Sequence, residues 1–113
     1  MMKIDWTFRG EPLSDGLQKR IGRQLTKLAG LLRDPVSAHV VVGDEGHERV
    51  DLEVVLTSED GIFKGHADGH ELGDVTKDAL QRVEAQVRKV NNKRLATRRH
   101  AVELSDAGHA EEE

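Results

Sequence analysis

Residues 49–68 read RVDLEVVLTSEDGIFKGHAD, and the alternation inside this stretch decides the fold. Val50, Leu52, Val54 and Leu56 take every second position against Asp51, Glu53, Val55 and Thr57, the period of a strand with one buried face. Glu59-Asp60-Gly61 interrupts the pattern, and Asp-Gly suits the positive φ angles of a tight hairpin connection. From Ile62 to Asp68 the alternation resumes, with Phe63, Gly65 and Ala67 on the inner side. The hairpin therefore has one apolar face, which the rest of the chain must cover.

Upstream, Ser37 to Gly43 places Ala38, Val40 and Val42 on one face, with Gly43 to His47 as the link, so three strands run in a meander. Lys3 to Phe8 alternates in the same way and presents Ile4, Trp6 and Phe8. Between these segments Ser14 stands as a helix N-cap, and Leu17, Ile21, Leu25, Leu28 and Leu32 recur at steps of three and four. This predicts a helix of about 19 residues, stopped by Asp34-Pro35. Gly22 and Gly30 each weaken it by roughly 1 kcal/mol relative to Ala, so packing must hold it.

Downstream, a second helix is predicted from about Glu71 to about Arg98, with Leu72, Thr76, Ala79, Leu80, Val83, Val87 and Val90 as its apolar stripe. Beyond Val90 only Leu95 is placed for burial, so the last turns, with Lys93, Arg94, Arg98 and Arg99, should project past the core. The order β-α-β-β-β-α, with one apolar face per element, predicts a two-layer α+β sandwich: a four-stranded mixed sheet with both helices on one face. The first two strands, if adjacent, are parallel because a helix connects them. Residues 1–100 form this domain in our reading, and 101–113, ending in three glutamates, a disordered acidic tail.

A chain of 113 residues has room for one core. It has no cysteine, which removes disulfides, thiolate nucleophiles and cysteine-based metal sites. Neither a basic start followed by an apolar run nor a stretch of about 18 apolar residues occurs, so a cytoplasmic protein with no membrane partner is expected. No cofactor or small-molecule substrate is implied, and a monomer is expected.

The net charge of −4 hides an uneven distribution. Residues 14–33 carry +4, 34–76 carry −9, 77–100 carry +6 and 101–113 carry −5. A local positive stripe, not the total, governs nucleic-acid binding. On helical geometry Arg82, Gln86, Lys89 and Lys93 share a ridge beside the apolar stripe, Arg88 faces away from it, and Arg20, Arg23 and Lys27 share a flank of the first helix. Asp78 and Glu84 alone offset the basic residues of the last helix. With Asp5, Asp51 and Glu53 on the outward sheet face, the domain should be positive over the helices and negative beneath the strands. Aromatic residues are only 3% and point inward, so contacts to RNA should go to phosphate and ribose rather than to stacked bases.

Catalytic readings are weaker. His66-x-Asp68-x-His70 has no fourth ligand, and His39 beside Asp51 or Glu53 reads as a surface pair. There is no nucleophile elbow, Gly-rich phosphate loop or carboxylate pair in a recognisable setting. An enzyme is not expected.

Residues 82–93, RVEAQVRKVNNK, resemble the basic last-helix motif K-L-E-R-Q-L-R-K-x-K-x-K of the ribosome hibernation promoting factor and ribosome-associated inhibitor A family. LSDGL at 13–17 with LTKL at 25–28 is similar to that family's I-T-x-A-L and K-L-x-K-L pattern, and AHVVV at 38–42 to its second strand. The likeness spans about residues 3–100. It implies a short-form factor that occupies the small ribosomal subunit at the decoding centre and blocks messenger RNA and transfer RNA, with no catalysis. Carried over by position, Arg23, Lys27, Arg82, Arg88, Lys89 and Lys93 are the candidates the resemblance implies for contact with ribosomal RNA; Arg20 and Arg94 join them on charge. Ala85 and Asn91 stand where the family is usually basic, and Leu72-Gly73 where it has Met-Tyr. A generic binder of structured RNA and a modulator of an alternative sigma factor are the other readings.

Overall fold

The computed structural model describes the backbone of residues 2–46 and 49–107, and the side chains of that set apart from residues 44–46 and 96–107. The order is β1 (Lys3–Phe8), α1 (Asp15–Ala29), β2 (Ser37–Gly46), β3 (Arg49–Ser58), β4 (Gly61–Gly69) and α2 (Leu72–Ala107). The sheet runs β1-β2-β3-β4, with β1 parallel to β2 and the other pairs antiparallel. This is the expected four-stranded mixed sheet of an α+β fold.

Register converts the alternation into rows. Trp6, Val40, Val54 and Gly65 lie side by side across the four strands, flanked by Ile4, Ala38, Leu56 and Phe63 and by Phe8, Val42, Leu52 and Ala67. These three rows face the helices and form the core with Ile21, Leu25 and Leu28 of α1 and Val75, Ala79, Val83 and Val87 of α2. Complete burial of each such aliphatic side chain stabilises the fold by about 1.5–3 kcal/mol. Trp6 and Phe8 are half-buried because β1 is an edge strand; their rings stack at 6.2 Å.

Gly65 sets how closely α2 approaches the sheet. A Cβ there would run into the Ala79 carbonyl and lie 2.8 Å from Val83 Cγ2, so the helix backbone rests on the glycine itself. Gly61, with φ of 133°, makes the β3–β4 turn, as the Asp-Gly dipeptide predicts. Ser14 caps α1, its Oγ accepting from the Leu17 N–H at 3.3 Å.

Several expectations are corrected. Helix α1 stops at Ala29 and spans 15 residues, not about 19. Past Gly30 the bonding tightens, with the N–H groups of Leu31 and Leu32 donating to the carbonyls of Leu28 and Ala29 at 3.0 Å, and this turn still delivers Leu32 to the core. Strand β2 runs on to Gly46, through a register shift between Asp44 and Gly46, where a loop from Gly43 was expected. Helix α2 continues to Ala107 instead of ending near Arg98; of the expected disordered tail, residues 108–113 lie outside the described residues. Val75, outside the expected apolar stripe, is buried, and Leu95, expected to be placed for burial, is exposed.

Candidate nucleic-acid interface

Both helices lie on one side of the sheet with a groove between them; Arg82 and Lys89 share the ridge of Gln86, which reaches the β4 edge on the flank of α2 away from α1. Ile21, Leu25 and Leu28 point α1 into the core, which turns Arg20, Arg23 and Lys27 outward, and all three are exposed. In α2 burial of Val83 and Val87 does the same for Arg82, Arg88, Lys89 and Lys93, again all exposed. Among the described residues Arg20, Arg23, Lys27, Arg82 and Lys89 have no hydrogen-bond or ion-pair partner. Their charge is open to an external anion.

Arg88 and Arg94 differ. Arg88 Nε donates to Glu84 Oε2 at 2.7 Å, one helical turn away, so one acid of α2 neutralises part of the ridge. Gln24 of α1 reaches the other oxygen of Glu84 at 3.5 Å, which ties the two helices together at this point. Arg94 is half-buried and points back into the fold: Nη1 donates to Asp60 Oδ2 at 2.7 Å and Nη2 to the Leu31 carbonyl at 2.6 Å. The structure thus separates Arg94 from the exposed cations and gives it a clamping role. Its spacing in the sequence matches that of a surface residue, and only the fold brings Asp60 and Leu31 to it.

Gln86, on the same ridge as Arg82 and Lys89, serves the sheet. Its Oε1 accepts from the Lys64 N–H at 3.2 Å and its Nε2 donates to the Lys64 carbonyl at 2.7 Å. The amide imitates a neighbouring strand and occupies hydrogen-bonding groups on the open edge of β4.

The opposite sheet face is less negative than expected. Lys3 lies 4.0 Å from Asp5, and Arg49 Nη2 donates to Asp68 Oδ2 at 2.8 Å. That hydrogen bond, reinforced by the guanidinium charge, holds the Asp68 carboxyl below its ordinary value and occupies the central residue of the His66-x-Asp68-x-His70 series. Among the described residues no three His, Cys, Asp or Glu side chains converge on a metal position. His39 is bonded to the Thr7 hydroxyl at 2.9 Å, not to Asp51 or Glu53; register sets it beside Asp5 and Val55. No helix of the described residues is long and apolar enough to cross a membrane.

Sequence reading passed over Lys77 and Gln81, which share the α1 side of α2 with Glu84. The spacing Lys77, Gln81, Glu84, Arg88, at steps of four, three and four, is the signal that marks this second polar ridge.

Residues 4–95 match the family model described as Sigma 54 modulation protein / S30EA ribosomal protein. Among solved structures the chain is similar to the N-terminal domain of Protein Y from Thermus thermophilus, at 19% identity and a TM-score of 0.63, covering 78% of this chain and 93% of that one. It is similar also to a ribosomal subunit interface protein from Coxiella burnetii, at 14% identity and a TM-score of 0.63, covering 78% and 96%. At these identities the two structures establish the shared fold. Among curated protein sequences none matches significantly.

Proposed function

With residues 4–95 carrying the match, the chain belongs to the Sigma 54 modulation protein / S30EA ribosomal protein family, and from that premise we propose that it is a ribosome-associated translation inhibitor which binds small-subunit ribosomal RNA through the outer face of α1 and α2. The family is one of ribosome-associated factors, and the Coxiella relative is named for the ribosomal subunit interface. The observation that carries the RNA reading is the set of exposed cations on two adjacent helices, Arg20, Arg23 and Lys27 with Arg82 and Lys89, none of which has a partner among the described residues.

Ribosomal RNA offers a dense array of phosphates, and each Lys or Arg that neutralises one releases condensed counterions. Cations with no internal partner gain from this without first breaking ion pairs. The domain then lies in the RNA groove of the decoding centre, where messenger RNA and transfer RNA bind, and inhibits by occupying it. Arg88 and Lys93 extend the same surface, whereas Arg94 holds α2 in place. No cofactor is needed, and one copy of the domain suffices.

The test is cosedimentation with purified small subunits and 70S ribosomes across a salt series, beside a variant carrying Arg23→Ala, Lys27→Ala, Arg82→Ala and Lys89→Ala. The wild type comigrates with small subunits; the variant binds weakly, and its slope of log K against log salt falls by about 0.7 to 0.9 for each phosphate contact removed. An equal phosphate mass of duplex RNA that competes as well as small subunits would replace this reading with generic RNA binding. Binding of core RNA polymerase without ribosomes would replace it with the sigma-factor role.

A further inference from the structure

We propose that the groove between α1 and α2 is a receptor for one unstacked nucleotide, an inference that rests on the RNA reading above and gives it a specific pocket. The groove is open to solvent along one side and has a volume of about 260 Å³. That is many times the ~10–15 Å³ one water needs on the same measure, so the groove admits a group as large as a base. Leu17 of α1 and Leu80 of α2 supply apolar walls against which a flat base can lie.

Thr76 lies on α2 in the lining of this groove. The residue is 5% exposed; its Oγ1 is itself buried and, among the described residues, has no hydrogen-bond partner. An unsatisfied buried hydroxyl destabilises a fold, while valine, of the same shape, would remove the penalty. A change of χ1 rotamer would be needed to bring the hydroxyl to the groove, and a ligand polar group there would satisfy it.

Polar groups at the rim complete the complement. Arg20 on α1 and Lys77 on α2 both line the groove and have no ion-pair partner among the described residues, so they are available to phosphates on either side of the base. Gln81 presents a carboxamide with donor and acceptor uncommitted, the chemistry that pairs with a base edge. At Gly73 the position of a Cβ has no atom within 4 Å, which leaves that end of the groove open. Gln24 and Glu84 also line the groove, bonded to each other at 3.5 Å, and Arg88 pairs with the Glu84 carboxylate. Beside them, apolar walls, a carboxamide, a buried hydroxyl and two flanking cations describe a nucleotide better than an isolated phosphate, which has no use for the walls.

The nucleotide can come from bound RNA or from solution, and two arms separate these sources. Gly73→Leu fills the open end and replaces a helical glycine by a better helix former; Thr76→Val removes the hydroxyl at constant shape. Both variants should melt at or above the wild-type temperature. In the first arm, small-subunit affinity of both falls tenfold or more, and the salt slope falls by no more than the two phosphate contacts assigned to Arg20 and Lys77, about 0.7 to 0.9 for each. In the second arm the four nucleoside 5′-monophosphates are titrated at millimolar concentration into the 15N-labelled wild type and Gly73→Leu. Shifts at the Thr76 and Gln81 amides in the wild type alone identify a site that also accepts free nucleotides. Wild-type subunit affinity in both variants, with no such shifts, overturns the groove and leaves the ribosome reading standing. Failure of the wild type to bind subunits overturns the ribosome reading, and the monophosphate arm then decides the groove by itself.

Discussion

Asp60 in the β3–β4 turn and Arg94 on α2, 34 residues apart, meet at 2.7 Å and join three parts of the fold. The same carboxylate accepts the Arg33 backbone N–H at 2.9 Å, and the same guanidinium donates to the Leu31 carbonyl. The segment after α1, the hairpin turn and the last helix are thus locked together at the end of the core. Helix α2 runs on from this pair to Ala107.

Removing either partner leaves the other charge poorly satisfied at a site where the Asp60 side chain is 9% exposed. Asp60→Ala and Arg94→Ala should each lower stability by about 2–3 kcal/mol, measured by urea unfolding. Arg94→Lys should recover only part, because a lysine ammonium cannot span two acceptors with fixed fork geometry. A double variant no worse than either single one would confirm that the two residues act as a unit.

Acid should reveal the same junction. The Arg33 N–H first, and the Arg94 hydrogen bond second, hold the Asp60 carboxyl below its ordinary value of 3.8, against the opposing effect of burial. A carboxyl depressed in the folded state stabilises the fold above its unfolded value, and that contribution is lost as pH falls from there through the folded value. Urea midpoints taken from pH 6 down to pH 2.5 should therefore drop more steeply below about pH 4 in the wild type than in Asp60→Asn.

The two layers meet most closely at Gly65, and substitution should be felt there. Gly65→Ala drives a methyl into the Ala79 carbonyl and Val83, so it should cost about 1–3 kcal/mol by overpacking. Gly22→Ala is the matched control: its Cβ would make an ordinary 3.7 Å contact with Ile4 Cδ1 in mid-helix, and it should stabilise by up to about 1 kcal/mol. Thermal melts of the pair should move in opposite directions.

Gln86→Ala strips the amide from the β4 edge. Loss of its two hydrogen bonds to Lys64 should cost about 1–2 kcal/mol and speed hydrogen exchange of the Lys64 amide. The uncovered edge should also raise concentration-dependent association, seen in sedimentation velocity, because unpaired strand groups template further strands. Gln86→Glu keeps the acceptor but loses the donor, and should fall between the two.

Much of this architecture follows from local pattern. Alternation in residues 49–68 determined the faces of β3 and β4, since a side-chain period of two leaves no freedom about which residues share a face. Leucine spacing determined the buried side of α1, and with it the outward positions of Arg20, Arg23 and Lys27. The family, too, was legible in the joint spacing of the last-helix and first-helix motifs. Tertiary structure decided what spacing cannot carry: which equally spaced polar residues find partners. Arg94 and Lys89 look alike in the chain, yet one closes on Asp60 and Leu31 while the other stands exposed. Gln86 and Gln81 are both polar residues of one helix, yet one caps a strand edge and the other lines the groove beside Thr76. Helix α1 ends at Ala29 although its leucine pattern runs on to Leu32, with Gly30 at its cap and the Leu31 carbonyl held by Arg94. Periodicity fixes direction relative to a helix axis, whereas hydrogen bonds between residues 22 to 63 positions apart exist only after the layers have packed.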